Sequence, residues 1–197
     1  YNLRGWKYYG GGRNLADGQK PALFENNGNK IAFLGCNAKP EGYATASENS
    51  PGAVHCDLDA MAEEIKTLKE QGYIVIFTFQ HIEYYAYTAS PYLVSDFHKV
   101  AEAGATIVSG SQAHQPHAFE FYKGAFLHYG LGNLFFDQYN EGMAQRQAFI
   151  DRYVIYDGRV ISVDLITIEF IDMARSRLMT TEERQQLLKT IFTASGW

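Results

Sequence analysis

Polar side chains follow two hydrophobic runs in this chain of 197 residues, at the point where each run ends. Residues 74–79 are mainly apolar and precede Gln80, and residues 105–108 precede the polar segment 109–114. Runs of this kind are typical of buried strands. Ligands of an open α/β sheet bind beyond the carboxyl ends of its strands, so we predict a site there, formed by His81, Glu83, Gln112, His114 and Asn133.

Two histidines and one glutamate give the predicted site its reactive groups. Imidazole is the commonest metal ligand and also transfers protons, so His114 is a candidate for either role; a loop histidine bonded to the backbone is the alternative. His81 and Glu83 alternate along an extended chain and therefore point to one face. They could act as metal ligand and general base, or form an ion pair that orients the loop. Gln80 then points to the opposite face or replaces a ligand through its amide.

Amide and carboxylate side chains complete the predicted site. Asn133 and Asp137 lie in the segment 130–137, where glycines allow the backbone to turn sharply beside a ligand. We predict that Gln112, Asn133 and Asp137 bind substrate; stabilisation of a turn is the alternative for Asn133. The remaining histidines are interpreted as one core residue, His128, and three surface residues, His55, His98 and His117.

The order of these clusters resembles the CapA-like family of bacterial capsule and poly-γ-glutamate synthesis proteins. The similar segments are GGGRNLADGQKP (10–21), NKIAFLGCN (29–37), FQHIEYY (79–85), AGATIVSGSQAHQPHAFEFYKG (103–124) and HYGLGNLFFDQ (128–138). The resemblance implies an α/β fold of the metallophosphatase-like kind, an α/β/β/α sandwich with mixed sheets. We place this domain at residues 1–172 and a C-terminal connector and helix at residues 173–197.

The resemblance also implies a function: a cell-surface protein in capsule or exopolymer synthesis or processing, of the poly-γ-glutamate type. As a metal-dependent hydrolase it would use a divalent ion to activate water, with His81, Glu83 and His114 as catalytic residues and His81 and His114 as metal ligands. The partner implied is an anionic exopolymer or polysaccharide.

The chain departs from the family at both clusters. Gln80-His81-Ile82 stands where many members have a His-Trp-Gly strand end, and Ser111 and Gln112 stand where members have histidines. Alcohol and amide oxygens bind transition metals weakly, so we expect no complete two-metal centre and at most one ion near His114. The alternative function is therefore a catalytically degenerate protein that binds polymer or serves assembly at the cell surface.

Family members begin with an Asp-containing strand end that supplies the first half of the presumed metal site. This sequence begins at Tyr1-Asn2-Leu3, without that strand end, and we interpret it as the C-terminal portion of a longer protein whose N-terminal part is missing. The resemblance implies an extracellular or cell-surface location, with membrane attachment only through a segment that this chain does not include.

Composition narrows the range of partners. A net charge of −5 and the lack of a Lys/Arg run argue against nucleic acid or an anionic membrane surface. Aromatic residues make up 15% of the chain, and exposed tyrosine suits protein interfaces and sugar-stacking surfaces. A homo-oligomer is compatible with this composition.

Two cysteines, Cys36 and Cys56, flank a segment with a Pro51-Gly52 turn. We predict a disulfide between them, with Cα atoms within roughly 7 Å; two free thiols in a reducing compartment are the alternative.

Local patterns predict the elements that position the site. A hairpin is predicted around Asn27-Gly28, a helix from Asp57 to about residue 70, and a second helix from Ser90-Pro91 to Gly104. Strand, helix and strand in succession predict a right-handed βαβ unit. Short strands follow from residue 119 to 170, and a helix capped at Thr180 or Thr181 ends the chain.

Overall fold

The computed structural model describes residues 1–39, 44–136, 138–173 and 175–197; Asp137, a predicted substrate-binding residue, lies outside them. The strands are β1 (Gly11–Gly12), β2 (Ala22–Asn26), β3 (Asn29–Asn37), β4 (Gly52–Ala53), β5 (Ile74–Gln80), β6 (Ile107–Ser111), β7 (Phe119–Tyr122), β8 (Ala125–His128), β9 (Gln147–Tyr156), β10 (Arg159–Ile171) and β11 (Arg175–Leu178). The α-helices are α1 (Leu15–Gly18), α2 (Leu58–Glu70), α3 (Pro91–Ala103) and α4 (Thr181–Ala194), and 3-10 helices lie at Asn2–Arg4, Tyr139–Glu141 and Ala144–Arg146.

Side-chain caps fix the start of each long helix. The Asp57 carboxylate accepts from the Ala60 amide at 3.1 Å, and the Ser90 hydroxyl accepts from the Leu93 amide at 3.3 Å. Thr180 and Glu183 form a reciprocal capping box at α4. Each cap satisfies amides that the first helical turn leaves free, typically stabilising the helix by about 1 kcal/mol. The predicted starts of all three helices are confirmed.

Backbone turns in the left-handed region end other elements where the sequence predicts. Gly104 ends α3 at φ 118°, a conformation that glycine adopts without steric cost. Asn27 and Gly28 both have positive φ and connect β2 to β3, which confirms the predicted hairpin.

A six-stranded mixed sheet, in the order β2-β3-β5-β6-β8-β7, forms the centre of the fold. Strands β3, β5, β6 and β8 are parallel, whereas β2 and β7 pair antiparallel at the two edges. The two hydrophobic runs that the sequence places before the site are confirmed as parts of the neighbouring strands β5 and β6, and β8 lies next to β6. Because these strands run in parallel, their carboxyl ends lie at one edge of the sheet.

Two layers cover the central sheet. Helices α2 and α3 pack on one face, against a core that includes Leu34, Phe77 and Val108. On the other face, β7 and β8 pack against the antiparallel sheet β11-β10-β9 and against α4, through the cluster Phe119, Phe126, Phe149, Leu187 and Ile191. The predicted α/β class with mixed sheets is confirmed. No helix in the described residues combines the length and apolarity needed to cross a bilayer.

The C-terminal segment contributes to both the second sheet and its core. Residues 175–178, predicted as part of a connector, form β11 and pair with β10. The N–H of Phe119 donates to the Ser195 hydroxyl just after α4, at 2.9 Å. The end of the chain is therefore held against β7.

A disulfide connects Cys36, near the end of β3, to Cys56, which follows β4. Their Cα atoms are 5.0 Å apart, as predicted from the sequence. The bridge ties the segment that carries β4 to the carboxyl end of the central sheet, and β4 in turn pairs with β1.

Replacing both cysteines by serine should lower the free energy of unfolding by about 3 kcal/mol, because the bridge closes a loop of 20 residues in the unfolded chain. Urea denaturation of the double variant and of the native protein measures the difference. Chemically reduced native protein is the control and should match the double variant; equal midpoints for oxidised and reduced protein would show that the bridge contributes no stability.

Candidate functional site

Six polar side chains gather beyond the carboxyl ends of β5 and β6. We call them the strand-end cluster: Gln80, Glu83, Ser111, Gln112, His114 and Asn133. Gln80 and Ser111 are direct neighbours in the parallel ladder of β5 and β6. Glu83, Gln112 and His114 follow these strands in loops, and Asn133 follows β8. The cluster therefore unites the ends of three adjacent parallel strands, where an open α/β sheet binds its ligands.

The amide of Asn133 fixes the ring of His114. Its Nδ2 donates to the main-chain oxygens of His114 and Gln145, at 3.1 and 3.0 Å. Because a carbonyl oxygen only accepts, the orientation of the amide is determined, and Asn133 Oδ1 faces His114 Nδ1 at 3.0 Å. In the neutral ring Nδ1 therefore carries the proton. The unprotonated nitrogen of His114 is then Nε2, which faces the rest of the cluster.

A chain of hydrogen bonds joins this imidazole to the end of β5. Gln112 Nε2 lies 3.1 Å from His114 Nε2 and 3.2 Å from Glu83 Oε1. The distance between His114 Nε2 and Glu83 Oε1 is also 3.2 Å. The amide of Gln80 donates to Gln112 Oε1, and the hydroxyl of Ser111 lies 2.7 Å from Gln80 Oε1. Two side-chain amides thus connect a hydroxyl to a His–Glu pair in one continuous network.

Gln112 and His114 both adopt left-handed backbone conformations, with φ of 78° and 55°. A residue with a Cβ atom pays roughly 1–2 kcal/mol for such a conformation. Strain of this kind is retained where surrounding contacts enforce it, and it concentrates at binding and catalytic sites. Here the hydrogen bonds of both side chains supply those contacts.

The structure corrects the expectation that His81 and Glu83 point into one pocket. Strand β5 ends at Gln80, and its alternation directs Phe79 and His81 to the helix-covered face. His81 is buried, and its Nε2 lies 2.9 Å from Asp96 Oδ2 of α3. Glu83 lies beyond the strand and contacts His114 instead.

Gln80 takes the place in the cluster that the sequence suggested for His81. It directly precedes His81 and therefore points to the other face, where it bonds Gln112. The strict alternation of strand side chains was the signal that could have identified it.

The strand-end cluster does not fit a two-metal centre. It offers one imidazole, that of His114, and one carboxylate, that of Glu83; its other groups are neutral amides and a hydroxyl, which bind transition metals weakly. Within the residues that the structure describes, no group of three or more His, Cys, Asp and Glu side chains is arranged to hold a metal ion. His81, predicted as the second ligand, is engaged with Asp96.

His117 and His128 lie in the core between the two sheets. His128 was expected there; the interpretation of His117 as a surface residue is wrong, since both are 0% exposed. The main-chain N–H of His117 donates to the main-chain oxygen of Gly130, which is next to β8. His117 lies two residues before Phe119 and therefore shares its face, and Phe119 packs against the second sheet. His128 Nδ1 lies 2.7 Å from Asp151 Oδ2.

His117 connects two loops of the site. Its Nε2 donates at 2.7 Å to the main-chain oxygen of Tyr84, the residue after Glu83, while its own backbone follows His114 by three residues. Burial lowers the pKa of His117, and the charge of the nearby His128 lowers it further, against the opposing effect of the bond to Tyr84. Its Nδ1 has no hydrogen-bond partner among the described residues.

The protein should lose stability as the pH falls below about 6.5, the ordinary pKa of an unfolded histidine. Since the pKa of His117 is lowered in the fold, the unfolded chain binds the proton first, and the slope contributed is at most about 1.4 kcal/mol per pH unit. Chemical denaturation between about pH 8 and about pH 5 measures it. His117→Gln should reduce the slope, whereas His55→Gln should retain it; equal slopes in both variants would exclude His117 as the cause.

Comparison with known proteins identifies the family. A family model described as "Bacterial capsule synthesis protein PGA_cap" matches residues 2–138. The capsule biosynthesis protein CapA of Bacillus anthracis is 29% identical over 136 residues, which are 66% of this chain and 33% of that protein. The PGA biosynthesis protein CapA of Bacillus subtilis (strain 168) is 30% identical over 131 residues, 66% of this chain and 34% of that protein. The chain spans about a third of the length of these relatives.

Among solved structures, NAD nucleotidase (NadN) of Haemophilus influenzae aligns with 88% of this chain, over 36% of its own length, with a TM-score of 0.45 and 11% identity. The family model covers well over half of the 197 residues. The chain therefore belongs to the bacterial capsule synthesis protein (PGA_cap) family.

Proposed function

We propose that this chain is part of a cell-surface protein that binds polymer during capsule or exopolymer synthesis, with a chain of the poly-γ-glutamate type as ligand. Membership of the capsule synthesis family supports the process. The disulfide between Cys36 and Cys56 supports an extracellular or surface location, because disulfides persist in oxidising compartments. Attachment to a membrane through a segment outside this chain remains part of the proposal.

The observation that carries the proposal is the amide network of the strand-end cluster. Each repeat of a polyamide presents one N–H donor and one carbonyl acceptor, and the side chains of Gln80 and Gln112 present the same pair of groups. The network lies where parallel strands end, and it contains no Lys or Arg that would bind carboxylates directly. A polymer can therefore exchange hydrogen bonds with these amides while its carboxylates stay in solvent. Asp137 remains a predicted substrate-binding residue.

Replacing Gln80 by Leu should weaken binding of poly-γ-glutamate to the full-length protein by about tenfold, since it removes the hydrogen bonds of the Gln80 amide to Gln112 and Ser111. Isothermal titration calorimetry measures the affinity. Gln71→Leu, the same change at an exposed position after α2, is the matched control and should bind like the native protein. Unchanged affinity in Gln80→Leu would contradict the proposed site.

Hydrolysis of the polymer is a second candidate function, favoured by the orientation of one ring. Asn133 holds the proton of His114 on Nδ1, so the lone pair is on Nε2, where a water can replace the Gln112 amide as donor, and Glu83 lies 3.2 Å from that atom. His114 could then take a proton from the attacking water as the water oxygen bonds to the amide carbon. It would return that proton to the leaving nitrogen as the carbon–nitrogen bond breaks, releasing a carboxylate and an amine. Glu83 would stabilise the intermediate imidazolium.

In this second function, His114→Ala should reduce hydrolysis of poly-γ-glutamate by about 100-fold or more, the usual contribution of a general base. Release of free amine by the full-length protein gives the rate. Glu83→Gln separates the roles: it should keep polymer binding and lower the rate, because the glutamine still bonds Gln112 but carries no charge. Native hydrolysis in His114→Ala would exclude His114 from catalysis, and metal analysis of the same samples tests the prediction of at most one ion near His114.

A further inference from the structure

A cavity of about 410 Å³ lies over the carboxyl ends of β3, β5 and β6, beside the strand-end cluster. Resting on the proposed function, we propose that this cavity is a subsite for the backbone amide of a polyamide chain, and that it excludes the pendant carboxylates. The polar side chains that line the cavity are those of Tyr9, Asn37, Thr78, Gln80 and Ser111. Two of them, Gln80 and Ser111, belong to the strand-end cluster as well, so the cavity and the cluster share one wall.

Strand register builds the floor of this cavity. Gly35 is paired with Thr78, and Asn37 with Gln80, across β3 and β5, while Gln80 is paired with Ser111 across β5 and β6. These residues alternate with Leu34, Phe77 and Phe79, which face the helices. The polar row Asn37, Gln80 and Ser111 therefore lies on the face of the sheet that α2 and α3 leave uncovered.

Glycine keeps the cavity open. A Cβ atom on Gly35 would lie 2.5 Å from Thr78 Oγ1, and one on Gly10 would lie 3.1 Å from the main-chain oxygen of Gly35. Gly10 also has a φ of 71°. The backbone can approach closely here only because both positions lack side chains.

Three polar groups in the cavity are free to bind a ligand. The hydroxyls of Tyr9 and Thr78 make no hydrogen bond to any residue that the structure describes. Asn37 uses its Oδ1 to accept from the Lys39 amide at 2.9 Å, which leaves its Nδ2 as a donor. Hydroxyls both donate and accept, so the set can satisfy one carbonyl oxygen and one N–H at the same time.

The lining residues that the structure describes are all uncharged, and this selects the part of the polymer that can enter the cavity. A carboxylate buried there would find no cation among the lining residues and would lose its hydration at a cost of several kcal/mol. A secondary amide loses far less. The carboxylates of a γ-linked glutamate chain should therefore remain outside while the backbone amide enters.

The aromatic content of the cavity favours a polyamide over a sugar. Sugar rings bind most strongly on open aromatic faces, and among the described lining residues only Tyr9 is aromatic. Its ring packs against Phe33 at a centroid distance of 5.7 Å, and its edge lies close to Gly35. Tyr9 therefore offers its hydroxyl rather than an open face.

The disulfide makes the cavity a preformed site. Cys36 lines it from β3, and Ala53 lines it from β4, which the bridge at Cys56 ties to the same strand end. A covalently closed wall needs no ordering when the ligand binds, which lowers the entropic cost of association.

Removal of the free hydroxyls tests the subsite. In the full-length protein, Thr78→Val and Tyr9→Phe should each weaken binding of a γ-linked glutamate oligomer by about three- to tenfold, the effect of one lost neutral hydrogen bond. Neither hydroxyl bonds another described residue, so both variants should unfold at the native urea midpoint. Thr106→Val is the matched control: its hydroxyl is also without a partner and buried, but it lies outside the cavity, so oligomer affinity should be native.

Two further probes separate the ligand classes. The same oligomer with N-methylated backbone amides should bind the native protein more weakly, and Thr78→Val should change its affinity less. Raising NaCl from about 0.1 M to about 1 M should leave the affinity for the unmodified oligomer within about twofold, because the carboxylates stay in solvent and the described lining residues carry no charge.

The outcomes distinguish this inference from the function on which it rests. Loss of affinity in Gln80→Leu with native affinity in Thr78→Val and Tyr9→Phe would overturn the subsite and leave the strand-end cluster as the polymer site. Native affinity in all three variants would overturn both. Binding of a neutral dextran oligosaccharide that Thr78→Val weakens, with no effect on the glutamate oligomer, would assign the cavity to sugars and refute the amide subsite.

Discussion

The parallel register of β3, β5 and β6 is the constraint on which the candidate site depends. It aligns Asn37, Gln80 and Ser111 in one row, on the face of the sheet that the helices do not cover. A shift of one residue in any of these strands would turn its polar side chain toward the helices and an apolar one toward solvent. The apolar residues Leu34, Phe77 and Val108 oppose such a shift, because it would remove them from the core. The hydrophobic core and the polar site are thus set by the same alternation.

Hydrogen bonding, rather than charge, dominates the chemistry of this site. The chain carries a net charge of −5, and neither the strand-end cluster nor the described lining of the adjacent cavity contains Lys or Arg. An anionic polymer gains no electrostatic attraction there, and its long-range interaction with the chain is repulsive. Amides and hydroxyls in a partly enclosed site can nevertheless form hydrogen bonds with the neutral backbone of such a polymer. These bonds matter because an amide group left without a hydrogen bond, on the protein or on the polymer, costs free energy.

Buried histidines connect the site to the packing of the two sheets. His117 bonds the main chain beside Glu83 and lies in the same core region as His128, which pairs with Asp151 of β9. The loop after β5 is thereby anchored to the interior, in addition to the contact of the buried His81 with Asp96. The left-handed conformations of Gln112 and His114 are maintained on this anchored frame.

Local sequence patterns predict most of the helices and strands, and they place the candidate polar side chains after the ends of strands. Helix caps at Asp57, Ser90 and Thr180, the Asn27-Gly28 turn and the apolar strand runs are local signals, because each depends on neighbours within a few residues. The family resemblance agreed with the family model, and the disulfide formed between the two cysteines of the chain.

Which of these side chains meet depends on the folding of the whole chain. The sequence could not show that β5 ends at Gln80, so that His81 pairs with Asp96 while Gln80 bonds Gln112. It also could not show that His117 is buried, because the groups that it contacts, at Tyr84 and Gly130, belong to loops that only the fold brings together. Contacts between distant segments depend on how the two sheets pack, and packing is a property of the whole chain rather than of any local pattern.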